Sequence, residues 1–436
     1  MSYQQYNERL CDYISRSTTP YHAIKNSMGI LDAAGYVRLY ESDPWQHLSP
    51  GRYYVTRNSS SLIGFQITPT ANTLRMAGSH TDSPSLRVKP NPLHTKSGYL
   101  QLGVEVYGGA LLNPWFDRDL SMAGRVIWHT EDDIMQSSLI DFRRPVAVIP
   151  SLAIHFDREA NTGKEINKQT DMVPLLMLDS GTKPMHFNEL LKKQFLLEHP
   201  GNDHAEIIDY DLFLYDSQPP ALVGLEQEFI TSARLDNLLS CYCIIQAAAS
   251  CSQAHNLLFV LNDHEEVGSV STSGAQGPFL QSILSRLYPE RPVRESMLAK
   301  SLLISVDNAH AVHPNFASKH EPQHLPVLNG GPVIKTNANQ RYASNACTSS
   351  IFKLLCKRNE IPVQNFVMRN DMACGSTIGP LTSAAIGIPT IDIGVPQLAM
   401  HSIRETIGNR DGYYLGKALS AFFEEHDEKL QCAEAA

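Results

Sequence analysis

Apolar positions along this chain recur at two spacings. In "YNERLCDYISR" and "AIKNSMGILDAAG" they return every three or four residues, which predicts two helices in the opening segment, the second closing on Gly35. "RYYVTR", "SLIGFQI" and "TLRMAGSH" then read as short strands. From about residue 90 the texture changes to alternating apolar positions rich in Gly and Pro, "VKPNPLHTKSGYLQLGVEVYGGALLNPWFDRDLSMAGRVIWH", the pattern of β-hairpins, and "DMVPLLML" and "IIDYDLFLYD" continue it. Around residue 230 the style shifts again. The apolar runs "LLFVLN", "SLLISVD" and "IPTIDIG" alternate with helical patterns such as "NACTSSIFKLLCKRN". That alternation predicts an α/β layer with a mainly parallel central sheet. The simplest organisation is one α/β domain built from residues 1–89 and 231–436, interrupted by a β-rich insertion at 90–230.

In open α/β sheets ligands bind beyond the carboxyl ends of the strands, and polar residues gather there in this chain. "TLRMAG" is followed by Ser79, His80, Thr81 and Asp82, and "LLFVLN" by Asp263, His264, Glu265 and Glu266. "LLISV" is followed by Asp307, Asn308, Ala309 and His310, and a short loop after "TIDIG" carries His401. Asp236 in "SARLDNLLS" opens a long apolar helix. Any one of these has a bland reading: acids favour the first turn of a helix, and a lone His at a strand end is more often a hydrogen-bonded structural residue. Several carboxylates at neighbouring strand ends would repel one another without cations. Two His with three or four acids is what a pair of divalent metals needs, and mixed N/O ligands suit zinc, with cobalt or manganese as substitutes. Of two adjacent acids, one can bind metal while its neighbour takes a proton from water. Asp82, two residues after His80, could accept the second imidazole N–H. A rival motif, "HEPQH" at 320–324, fits the H-E-x-x-H pattern of zinc proteases, but Pro322 inside it and no amphipathic run after it predict a loop.

Composition narrows the field. The chain has 436 residues, 42% apolar and 19% charged, with a formal net charge of -9. With no basic run, neither nucleic acid nor an anionic membrane surface is an expected partner. No basic-then-apolar leader opens the sequence, and no apolar run approaches the ~20 residues that span a bilayer. The eight cysteines lack regular spacing and read as reduced thiols of a cytoplasmic protein.

Taken together, "SHTDSPSLRVKP", "RLDN", "DHEEVGS", "DNAHAVHPN", "NGGPVIKTNANQRYAS", "DMACGSTIGP" and "MHSIRE" resemble the aspartyl aminopeptidase family, a branch of the two-zinc exopeptidases, in order and nearly end to end. The resemblance implies the zinc-exopeptidase α/β sandwich with an inserted dimerisation domain, assembling as a tetrahedral dodecamer. It implies two zinc ions per subunit, one held by His80, Asp236 and Asp307, the other by Glu266, Asp236 and His401. Glu265 would be the general base and Asp82 would orient His80. His155 in "LAIHFDRE" would reach an active site across a dimer interface, and is the alternative metal ligand. His310, Lys335 and Tyr342 would contact substrate, Lys335 (with Arg341 nearby) meeting an acidic side chain. The bland reading of "IKTNANQRY" is a solvated loop, and that of "CGSTIGP" a helix start capped by Ser376 or Thr377. The activity implied is removal of N-terminal Asp, then Glu, from peptides with a free N-terminus. The other readings are a two-metal deacylase or carboxypeptidase of different specificity, and a metal-stabilised oligomeric scaffold.

Overall fold

The computed structural model describes residues 1–45, 48–69, 72–179, 181, 185–252 and 255–432. The chain divides into two compact units, one of residues 1–82, 220–400 and 405–436, the other of residues 83–219 and 401–404.

The first unit is a three-layer α/β structure on a nine-stranded sheet. Four parallel neighbours form its centre, in the order Leu257–Asn262, Arg75–His80, Leu302–Val306 and Thr390–Gly394. Every residue of these four strands is buried, so none reads as a strict apolar-polar alternation, although Arg75, His80 and Asp392 lie within them. Among the described residues, five of the sheet's eight neighbouring pairings are parallel and three antiparallel. Successive side chains face opposite layers. Leu257, Phe259 and Leu261 meet the helices Tyr3–Arg16, Pro20–Ala33, Leu235–Ser250 and Asp411–Glu424. Leu258 and Val260 meet Phe279–Leu287 and Arg291–Ala299 on the other face. Thr377, its side chain accepting from the Gly379 N–H, caps a further helix, Ile378–Ile386. A smaller five-stranded sheet joins Ala221–Val223, Phe229–Ser232, Glu405–Gly408, Pro396–Leu398 and Ala309–His310.

Packing at the sheet centre leaves no room at Gly64. A Cβ there would stand 2.1 Å from Cζ of Phe259, a buried ring on the neighbouring strand. Gly64→Ala is expected to destabilise the fold by about 1–3 kcal/mol, the cost of overpacking a tight core, read as a lowered midpoint in urea unfolding.

The second unit is a six-stranded antiparallel sheet in the order Met135–Asp141, Leu120–His129, Glu206–Asp216, Ser85–Lys96, Tyr99–Tyr107 and Leu175–Leu178. Ser97 and Gly98, both at positive φ, make the two-residue turn of its longest hairpin, as the Gly-containing pattern predicts. Trp128, Leu212 and Phe195 of the helix Phe187–Glu198 share its core, which also takes Ile403.

Candidate functional site

The carboxyl ends of the four central parallel strands, and the helix that begins beside them, gather the acids and a histidine. His80 ends its strand almost fully buried. Its Nε2 lies 3.5 Å from Asp236 Oδ1, 3.6 Å from Asp307 Oδ1 and 4.0 Å from Glu265 Oε2. On the other side of the ring, Nδ1 is 3.0 Å from the main-chain carbonyl of Asp82 and 3.4 Å from its carboxylate. Burial works against the imidazolium, but Asp236, Asp307 and Asp82 outweigh it and hold the His80 pKa well above its usual value. The carbonyl is therefore the nearer partner of His80. The Asp82 carboxylate has a second task, accepting the backbone N–H groups of Glu265 and Glu266, each at 3.1 Å.

Glu265 and Glu266 sit on a single 3-10 turn, Glu265–Val267, entered through His264 and left through Gly268, both at positive φ. That abrupt turn presents two consecutive carboxylates beside the sheet instead of alternating them. Burial, with Asp307, Asp82 and Asp236 adding to it against the opposing His80, pushes the Glu265 carboxyl up to about 7. Asp263, the acid before the turn, accepts from the His264 N–H and is pushed up to about 6, by burial first and Asp82 second.

Two Asp-Asn pairs hold the centre from opposite sides. The Asn237 side chain donates to the Val306 carbonyl at 2.9 Å, and the Asn308 side chain donates to the Leu235 carbonyl at 3.0 Å. Each amide thus ties its own segment to the one carrying the other pair's aspartate. Asp236 lies outside helical φ/ψ, and its N–H donates to the buried carboxylate of Glu405 at 2.9 Å. Gly394 closes the arrangement behind Asp307, because a Cβ there would fall 1.8 Å from the Asp307 carbonyl oxygen.

His80, Asp236 and Asp307 offer ligand atoms that all lie within 4.8 Å of one another, as do His80, Glu265 and Glu266. Four ligands at ~2.1 Å in a tetrahedron stand ~3.4 Å apart, the geometry zinc adopts with N and O donors. The 3.5 and 3.6 Å separations from His80 to Asp236 and Asp307 match that spacing, so the residues fit the ion.

Lys335 is on the strand Val333–Thr336, not on a solvated loop, and is buried. Its ammonium donates to Asp307 Oδ2 at 3.4 Å and to the Asn308 carbonyl at 3.3 Å, over the face of Tyr342 at 5.1 Å. Burial raises the phenol pKa of Tyr342. Arg341 donates to the Cys374 carbonyl. His310 packs edge-on against Phe366, 5.6 Å between centroids. "HEPQH" is a loop, with His324 bound to Glu321. In the second unit, His155 is exposed on a turn and belongs to none of the candidate metal groups among the described residues. His401 there has Nδ1 3.2 Å from the Gly109 carbonyl, and its own carbonyl accepts from Leu111.

Sequence reasoning passed over three buried groups, Glu405, Gln397 and Asp392. Gln397 accepts from Asn308 at 2.5 Å. Asp392 accepts from the Thr377 hydroxyl and the Ala343 N–H, both at 2.6 Å, and so fixes the two segments that flank Lys335 and Tyr342. Each is a single polar residue in an otherwise apolar or loop context, and the only available signal was its place inside "IRE, "PQL" or "IDIG".

The sequence model of the aminopeptidase I zinc metalloproteases, M18, matches residues 13–423. The chain belongs to that family. This M18 metallo-aminopeptidase is 53% identical over 417 residues to a probable M18 family aminopeptidase 2 of Ectopseudomonas mendocina, covering 95% of this chain and 97% of that one. Among solved structures it resembles Ape4 in its complex with Nbr1 (TM-score 0.94, 37% identity, 99% of this chain and 88% of that one). It also resembles the S. cerevisiae mApe1 dodecamer (TM-score 0.86, 27% identity, 98% of each chain). No helix among the described residues of the M18 chain is long and apolar enough to cross a membrane.

Proposed function

We propose that the enzyme removes acidic residues, Asp before Glu, from peptides with a free N-terminus, using two zinc ions and Glu265 as general base. The observation that carries this reading is the buried set of His80, Asp236 and Asp307, with the Glu265 carboxylate 4.0 Å from His80. His80, Asp236 and Asp307 hold one ion. Glu266 and His401 hold the other, with Asp236 shared between them. When bound, such a pair lowers the pKa of water and polarises the scissile carbonyl. Glu265, half-buried and carrying a raised pKa, takes a proton from the attacking water and returns it to the leaving amine. Asp82 fixes the backbone from which Glu265 projects. His310 and Tyr342 line the substrate, and Lys335 supplies positive charge beside Asp307 for a substrate carboxylate. His155 serves a neighbouring copy across a dimer interface in a dodecamer like that of the yeast relative.

A second reading draws on the same lysine. Its ammonium already has Asp307 as counter-charge, which favours an aminopeptidase whose first-residue preference is set elsewhere. Hydrolysis of Asp-Xaa, Glu-Xaa and Leu-Xaa peptides, each with free and blocked N-terminus, separates the two. Release of only unblocked Asp or Glu is the expected result. Equal or faster release of Leu would replace the acidic specificity with the second reading, and cleavage despite the block would remove the aminopeptidase mechanism.

A further inference from the structure

A cavity of about 250 Å³ opens in the first unit, beside His310. Its apolar lining comes from Phe366, Met368, Met372, Leu398 and Met400. Two features place it next to the proposed metal centre. His310 lies three residues beyond Asp307, on the short strand Ala309–His310. Ala399, also in the lining, turns the chain at positive φ, and Met400 beside it is joined directly to His401. The cavity is therefore bounded by the segments that carry two of the proposed metal ligands.

From this we infer that the cavity is the subsite for the second residue of the peptide, the one that leaves with the new amine, and that it takes a bulky apolar side chain. The inference rests on the aminopeptidase reading above. Its thioether, aliphatic and phenyl groups favour an apolar side chain over a first-residue carboxylate, although Lys319, Arg369 and three histidines also line it. Of the charged lining groups, Lys319 is exposed and acts on Asp371 from a distance, and the others are paired. Arg369 binds Asp371 through two contacts at 2.6 and 2.9 Å and donates to the Ser318 carbonyl, and Glu321 is bound to His324. The cavity thus combines an apolar wall with polar groups that are mostly engaged, and its volume is large enough for Leu, Met or Phe. Its three methionines are adaptable walls, so the preference is for apolar bulk rather than for one shape.

The test uses the zinc-loaded full chain and peptides of one first residue, Asp, with Gly, Ala, Leu, Phe or Lys second. The expected kcat/KM rises by about 10-fold or more from Ala to Leu or Phe, the discrimination an apolar pocket gives for a few carbons. Met372 is 43% exposed, so Met372→Glu should fold normally. That variant is expected to lose the preference for Leu and Phe and to favour Lys. A ranking that is flat across the second residue, or unchanged by Met372→Glu, overturns the subsite. Calorimetric affinities of Asp-Gly and Asp-Phe for the Glu265→Gln protein keep the two readings apart. Absence of hydrolysis of every peptide counts against the proposed function, whereas equal affinities of the two dipeptides overturn the subsite alone.

Discussion

Glu265→Gln is expected to retain its zinc and to lose turnover by about 100-fold or more, the usual contribution of a positioned general base. The amide matches the carboxylate in size, and the backbone under it stays fixed by the Asp82 carboxylate, so the turn Glu265–Val267 keeps its place. His80, Asp236 and Asp307 are untouched, which is why metal content should not change. What disappears is a half-buried group whose pKa near 7 lets it accept a proton and give it back at neutral pH. Metal analysis alongside initial rates checks both halves. Full activity in the variant would remove Glu265 from the mechanism, and loss of zinc would make it a ligand instead.

Chelation is expected to abolish hydrolysis and to leave a protein whose stability falls as pH rises from 5 to 8. In the metal-free state the Glu265 carboxyl is raised from the ordinary 4.5 to about 7. The folded chain then binds a proton there that the unfolded chain has released. Stability from this group is fullest at the acid end of that window and is lost as pH climbs through about 7. His80 has the same sign. Its charge is held by three aspartates, so its contribution is complete below the unfolded value of 6.5 and is lost as pH rises through the higher folded one. For Glu265 the shift from 4.5 to about 7 is worth about 3 kcal/mol at 1.36 kcal/mol per unit, and His80 adds to it in the same direction. Zinc replaces the protons as counter-charge, so the gap in melting temperature between loaded and chelated protein should widen toward pH 8. A gap that narrows with rising pH would show that the acids are balanced by something other than metal.

The central strands were legible because burial on both faces makes them short and mostly apolar, and "TLRMAGSH", "LLFVLN", "SLLISVD" and "IPTIDIG" became the four parallel neighbours. Of the two hydroxyls in the bland reading of "CGSTIGP", Ser376 and Thr377, it is Thr377 that caps the helix, and the loop at "HEPQH" was legible for a local reason, a misplaced proline. The five-stranded sheet was not, since strands as short as Ala309–His310 and Pro396–Leu398 carry too few residues to show a period. The bland alternative for Lys335, a solvated loop, fails because charge alone suggests exposure, whereas the lysine is buried beside Asp307, 28 residues away in sequence. Glu405 illustrates the same limit: its partner, the Asp236 N–H, is 169 residues away, and no local pattern announces such a pairing.

The crossed amides of Asn237 and Asn308 have a kinetic corollary. Because each ties one aspartate-bearing segment to the backbone of the other, the two segments stay in register whether or not an ion lies between them. Uptake of zinc by the emptied protein is then a simple association with a ready receptor, its rate proportional to free zinc and without a lag. Activity lost to a chelator should return on the timescale of ion capture, not of refolding.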